Sequence, residues 1–128
     1  SNGAHKGHMI VHIPAFIPVS QLNVPDQATN FKLCARLISV SDYKRMGDTC
    51  ELINPIQHEQ VGVYETTMLP MLRIPTEPIT APLSIANRGV LKANVSTVLV
   101  IGIKFYTYEN AKFRFMPNEG MMSILKVN

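Results

Sequence analysis

Tryptophan is absent and cysteine is scarce. Two cysteines in 128 residues cannot make a disulfide scaffold, and a chain of this length buries a core without one. Cys34 and Cys50 lie too far apart in sequence for a C-x-x-C metal or redox pair, and two buried thiols are expected, with a disulfide between them as the alternative. Charge is sparse: 16% of residues are charged and the net charge is +3. Disorder is therefore not expected, and so mild a positive charge argues against nucleic acid unless the cations cluster. No apolar run reaches the ~20 residues of a membrane-spanning helix, so no membrane insertion is expected. No apolar leader segment typical of a secretory signal is found, and no feature fixes the compartment.

Catalytic signatures are missing too. There is no G-x-S-x-G, no P-loop and no G-x-G-x-x-G. His58-Glu59 lacks the second histidine that a zinc helix needs, and it reads as a solvated loop. Asp42, Asp48 and Glu51 surround a loop and read as solvent-facing acids. Neither an enzyme, a metal nor a cofactor is expected, and no residue is assigned a catalytic role.

What the chain does have is proline, glycine and β-branched residues. Nine prolines and seven glycines argue for many turns and against long helices. The stretch 97–108 organises the rest. Residues 98–103 are almost continuously apolar and stiff at χ1; from Gly102 onward apolar and polar residues alternate. This predicts a strand buried on both faces at its start and on one face at its end.

Along the chain, residues 1–9 read as a disordered leader or vector remnant, and 10–128 as one β domain that is part of a longer chain. His5, His8 and His12 fall in or beside that leader. Pro14, Pro18 and Pro25 predict an interrupted, extended edge strand over 10–25. Residues 31–40 alternate, with Phe31, Leu33, Ala35, Leu37 and Ser39 on one face and Lys32, Cys34, Arg36, Ile38 and Val40 on the other. Residues 41–49 read as a loop with a turn at Gly47-Asp48. Short strands follow near residues 50 and 61–69. Residues 79–86 form an edge strand with Ile79, Ala81, Leu83 and Ile85 inward. The chain ends in a β-meander, 97–108, 113–116 and 121–127, with turns at 109–112 and 117–120. Together these predict an all-β, antiparallel β-sandwich, Ig-like or jelly-roll-like, or alternatively a partly open barrel.

Three pieces carry a resemblance: Ala28-Thr29-Asn30-Phe31 before a strand, the run Ile101 to Tyr106 with Glu109-Asn110 after it, and residues 123–127 at the end. They resemble the C-terminal half of a bacterial, Bacteroidetes-type family of unknown function. Asn30, Lys104 and Ala111 depart from that family's His, Glu and turn Gly. The last departure bears on the hairpin, because Ala is costly at positive φ. The resemblance implies a domain within a longer chain and supplies no catalytic residue.

One surface could bind. If the turn at 109–112 leaves an odd loop, Lys104, Tyr106, Tyr108, Lys112 and Arg114 share a cationic–aromatic face suited to stacking bases or sugars. If the turn has two residues, Tyr108 meets Phe113, Tyr106 meets Phe115, and the rings are expected to join the core. The expected role is a non-catalytic module for protein assembly, self-association or adhesion. The alternative is a module that binds glycan or single-stranded nucleic acid.

Overall fold

The β-branched run becomes the longest strand of the protein, β8 (Val95–Glu109). The computed structural model describes residues 7–85, 93–117 and 119–127, and for 121–127 the backbone alone. β8 pairs along its whole first arm with β2 (Asn30–Ser41), from Asn30 opposite Tyr106 to Ser41 opposite Val95. β2 pairs on its other side with β5 (Val61–Glu65) and, end to end with it, β6 (Leu69–Pro70). β9 (Lys112–Phe115) and β10 (Met121–Val127) complete a six-stranded antiparallel sheet that curls into a half-barrel. The fold is all-β, as the strand and turn pattern predicts.

A second, two-stranded layer lies over the concave face. It pairs β1 (His8–Ile13) with β7 (Ile79–Ser84), antiparallel, with Ile10 opposite Pro82. The alternation of β2 is realised as expected: Phe31, Leu33, Ala35, Leu37 and Ser39 are all buried. Two clusters result. Ala35, Leu37, Leu83, Ile85, Val95 and Leu99 form one, and Phe31, Leu33 and Phe105 form the other, with Met71 and Met116 filling around it. Each fully buried Leu or Phe contributes about 1.5–3 kcal/mol relative to an exposed one. The layers touch most closely at Gly62. A Cβ there would meet the backbone of Ser84, whose C and N atoms would lie 2.7 and 2.9 Å away. Glycine is the side chain that lets β7 cross under β5.

The remaining elements differ from expectation in four places. β1 begins at His8, inside the segment read as leader, and Ile85 donates its N–H to Gly7 O at 2.8 Å. Pro18 starts a one-turn helix, α1 (Pro18–Gln21), where an extended stretch was expected; proline is suited to the first helical position, and Gln21 Oε1 accepts from Ile17 N at 2.6 Å. Part of the loop at 41–49 is strand: β3 (Tyr43–Met46) and β4 (Thr49–Leu52) form a hairpin around Gly47, φ 65°. Finally, β9 and β10 do not lie side by side. Both pair antiparallel with the same edge of β8, β9 with residues 106–109 and β10 with residues 97–103. β9 and β10 therefore run in the same direction along β8, and the chain does not reverse between them.

Candidate functional site

β8 has two faces with different fates. Its odd-numbered residues face the second layer, and Val95, Thr97, Leu99, Phe105 and Thr107 are buried. Its even-numbered residues face away, where Val98 and Val100 are half-buried. The expectation that the start of this strand is covered on both sides is corrected: among the described residues nothing packs over the outer face, and neighbouring side chains alone shelter the valines.

The hairpin at the end of β8 decides the candidate surface. Asn110 and Ala111 both take positive φ, 53° and 63°, which is the two-residue I′ pattern. Glu109 pairs with Lys112, Tyr108 with Phe113, Thr107 with Arg114 and Tyr106 with Phe115. The five residues of the cationic–aromatic set are thereby divided. Lys104, Tyr106 and Tyr108 share the outer face. Lys112 and Arg114 stand opposite Glu109 and Thr107 and so take the other face. There Arg114 Nη2 and Nε sit 2.7 and 2.9 Å from Glu109 Oε1.

The two-residue turn was expected to send the rings into the core, and it does not. Among the described residues β9 pairs only with β8, and nothing packs over the outer face at this end. Tyr108 is 51% exposed, and Phe113 and Phe115 are nearly as exposed. The rings stack across the strands: Tyr106–Phe115 at 5.4 Å and 47°, Tyr108–Phe113 at 4.8 Å and 56°. Such tilted pairs contribute about 0.5–1.5 kcal/mol beyond area burial. Thr29, within one piece of the family resemblance, holds this end in place. Its N–H donates to Tyr106 O at 2.9 Å, and its Oγ1 accepts from Tyr108 N at 2.8 Å.

Cations come to the rings from β2. The Lys32 ammonium lies 5.6 Å from the Tyr106 ring centroid, close enough for a cation–π contact. Lys32 and Lys104 flank Glu65 of β5, at 3.6 and 2.8 Å. The hydrogen bond from Lys104 is the chief reason the Glu65 carboxyl titrates below its ordinary range; slight burial opposes it and the two positive charges reinforce it. The same hydrogen bond raises Lys104. Next to this trio the outer face dips into a groove of about 380 Å³ with Cys34, Arg36, Val63, Val100 and Gly102 among its lining. Lys32, Glu65, Phe113 and Phe115 were not singled out from sequence. The two phenylalanines were visible as partners under the two-residue turn. Lys32 and Glu65 needed the register between β2, β5 and β8, which no local pattern encodes.

The other chemistry-bearing residues are dispersed. Both cysteines are free, with Cys34 half-buried and Cys50 exposed on the β3–β4 hairpin; the thiol of Cys50 is not buried as expected. His58 is not a free loop side chain. Its Nδ1 accepts the N–H of Ser41 at 3.1 Å, and its Nε2 faces Glu59 Oε2 at 3.2 Å. With Ser39 Oγ accepting from Gln60 N and Ser41 Oγ from Asn54 N, it fastens the 54–60 loop to the end of β2. Asn94, just before β8, accepts the N–H of Asp42 on its backbone O at 2.8 Å. No group of three or more His, Cys, Asp or Glu side chains suited to a metal occurs among the described residues. No described helix is long and apolar enough to cross a membrane. His5 lies outside the described residues.

No family model matches the chain, and no curated protein or solved structure matches it significantly.

Proposed function

We propose that this protein is a non-catalytic β module that assembles with a protein partner through the outer face of its six-stranded sheet. The observation that carries the reading is an open face holding exposed Val61, Val63, Tyr108, Phe113 and Phe115. Aromatic residues framed by a few charges are the usual composition of an interface centre and its rim. The dispersal of cysteines, His58 and acids supports a non-catalytic role, because acid–base and nucleophilic chemistry need convergent groups. The resemblance to the bacterial family supports placing the module in a longer bacterial chain, with adhesion as one form of the same role.

The test is affinity capture from the organism that encodes the chain, followed by reconstitution from purified components. Wild type is compared with a Phe113→Ser, Phe115→Ser double variant, whose rings are exposed and not needed by either core cluster. A purified protein that binds wild type and loses at least about tenfold in affinity for the variant supports the reading, since a buried aromatic anchor is worth about 2 kcal/mol or more. Equal binding by both proteins, or no binding to wild type, overturns it.

A second reading, glycan binding, is favoured by the side-by-side Tyr106–Phe115 and Tyr108–Phe113 pairs with Lys32 over one ring. Exposed rings stack on the apolar faces of sugars. Loss of an array signal in Tyr108→Ala supports it, and an array on which wild type binds nothing removes it. The nucleic-acid version loses ground, because Lys112 and Arg114 lie across the sheet from the rings.

A further inference from the structure

We infer that β5 is a self-pairing edge, and that a second copy of this chain docks on it antiparallel about Val63, joining the two main sheets into one. This rests on the assembly reading above and names one partner for it.

The first observation is where the backbone groups of β5 point. Ser39 N–H donates to Gln60 O at 2.9 Å, and Thr66 N–H donates to Leu33 O at 2.9 Å. With the β2 register of Leu37 opposite Gly62 and Ala35 opposite Tyr64, residues 60, 62, 64 and 66 turn their N–H and C=O groups toward β2. Val61, Val63 and Glu65 therefore turn theirs outward. Among the described strands β5 pairs only with β2. β7 crosses beneath Gly62 on the inner face and does not pair with the edge.

The second observation is what this edge lacks. Natural edges are blunted by proline, lysine, bulges or cover. β7 carries Pro82 in its middle. β5, Val-Gly-Val-Tyr-Glu, has no proline and no lysine, and its ladder with β2 is unbroken over five residues; the bulge where Glu59 (φ 59°) and Gln60 both bond Ser39 lies just before it. Val61 and Val63 are 40% and 57% exposed.

The third is that one register satisfies every residue. Centring the pairing on Val63 sets Val63 opposite its own copy and Val61 opposite the copy's Glu65, and all three positions are hydrogen-bonded pairs. At two bonds per such pair, about six bonds form. The four valines make one apolar strip. No like charges are directly opposed. Shifting the centre to Gly62 would set Glu65 against the copy's Glu59. Charge complements the pairing. Arg36, opposite Val63 on β2, makes no ion pair among the described residues. The copy's Glu65 would lie about 12 Å from it between Cα atoms, two strand spacings across and two residues along, within reach of the two extended side chains. The two arginines would stand about 14 Å apart, beyond the ~8 Å Debye length at physiological salt.

A five-residue strand pairing belongs to the weak class, below about 1,200 Å² of buried surface. Sedimentation equilibrium of wild type from about 10 μM to about 1 mM, the range of weak interfaces, should show the mass doubling. Val63→Lys sets like charges across the two-fold axis and should raise the dimer dissociation constant at least tenfold. It should leave the monomer folded, with a melting temperature lowered only by the small increment of one like-charged cross-strand pair, because Val63 faces solvent and the new lysine stands opposite Arg36. In a Cys50→Ser background, Val63→Cys places two thiols on the axis, at the ~5.5 Å Cα spacing of a hydrogen-bonded pair that a disulfide can span. Oxidation should cross-link it to dimer, while Cys50→Ser alone should not. A monomeric wild type at about 1 mM overturns the inference, as does a dimer indifferent to Val63→Lys or a Val63→Cys protein that does not cross-link. If wild type is monomeric yet binds a partner that needs Phe113 and Phe115, the edge pairing falls and the assembly reading stands.

Discussion

Replacing Ala111 by glycine should stabilise this protein, and the sign of that change tests the geometry of the candidate surface. Ala111 is held at φ 63° in the turn between β8 and β9. An L-residue in that left-handed region costs about 1–2 kcal/mol, because its Cβ crowds the following carbonyl. Glycine removes that cost but adds about 0.4–1 kcal/mol of entropy to the unfolded chain. The balance is a gain of about 0.5–1 kcal/mol, or about 2–4 °C in Tm for a domain of this size. After Asn110, glycine would also complete the Asn-Gly pair favoured in I′ turns. Thermal unfolding by circular dichroism measures the global effect. Amide exchange at Lys112, which pairs with Glu109 across the turn, should slow and localises it. With an odd-residue loop Ala111 would be free of that crowding, so glycine would only add entropy and Tm would fall. That outcome would refute the pairing of Tyr108 with Phe113 and return Arg114 to the aromatic face.

Gly62→Ala should destabilise, because the new Cβ would press on the Ser84 backbone where β7 crosses β5; overpacking costs about 1–3 kcal/mol, read as a lower urea midpoint with an unchanged m-value. Glu65, held below its ordinary value of 4.5, binds its proton more readily unfolded than folded. Its contribution is therefore present above that value and lost as pH falls through the folded value. Exposed pairs of this kind are worth only about 0.2–1 kcal/mol, so wild type should lose a small increment of Tm as pH falls below 4.5 that Glu65→Gln lacks. Equal acid sensitivity in the two proteins would show that the Lys32–Glu65–Lys104 trio contributes nothing to stability.

Much of the fold was legible because period-two alternation states which face is buried. Phe31 to Ser39 and Ile79 to Ile85 read correctly for that reason. The β8–β9 pairing was legible only as two alternatives, since a turn's length fixes its register and Ala111 argued against the shorter turn. What alternation cannot state is whether anything lies over the other face. The outer valines of β8 and the aromatic pairs are apolar, so they were assigned to a core, yet the second layer, which among the described residues is β1 and β7, covers one side. Long-range register was equally hidden. Lys32 meets Tyr106 and Glu65 through strands more than thirty residues apart in sequence. The break between β9 and β10 was read as a reversal because Pro117 and Gly120 look like turn residues. In the structure Gly120 has another use: a Cβ there would come within 2.7 Å of Ile103 O.

The division between the two faces bears on how such a surface could be kept. Phe31, Leu37, Val95 and Phe105 are fully buried, and truncating any of them would cost on the order of 2–5 kcal/mol, a large share of the roughly 5–15 kcal/mol that holds a domain folded. Val63, Tyr108, Phe113 and Phe115 carry no such constraint, because about half of each side chain already meets water. Stability alone would let those positions drift to polar residues at little cost. Two apolar groups, Val61 with Val63 and Tyr108 with Phe113 and Phe115, nonetheless stand at opposite ends of the one face that nothing covers among the described residues, the first of them on an edge strand without proline or lysine. Solubility argues against such exposed apolar groups unless they are covered part of the time. The folding energetics thus assign the inner face to holding the protein together and leave the outer face and the β5 edge free for contact with another chain.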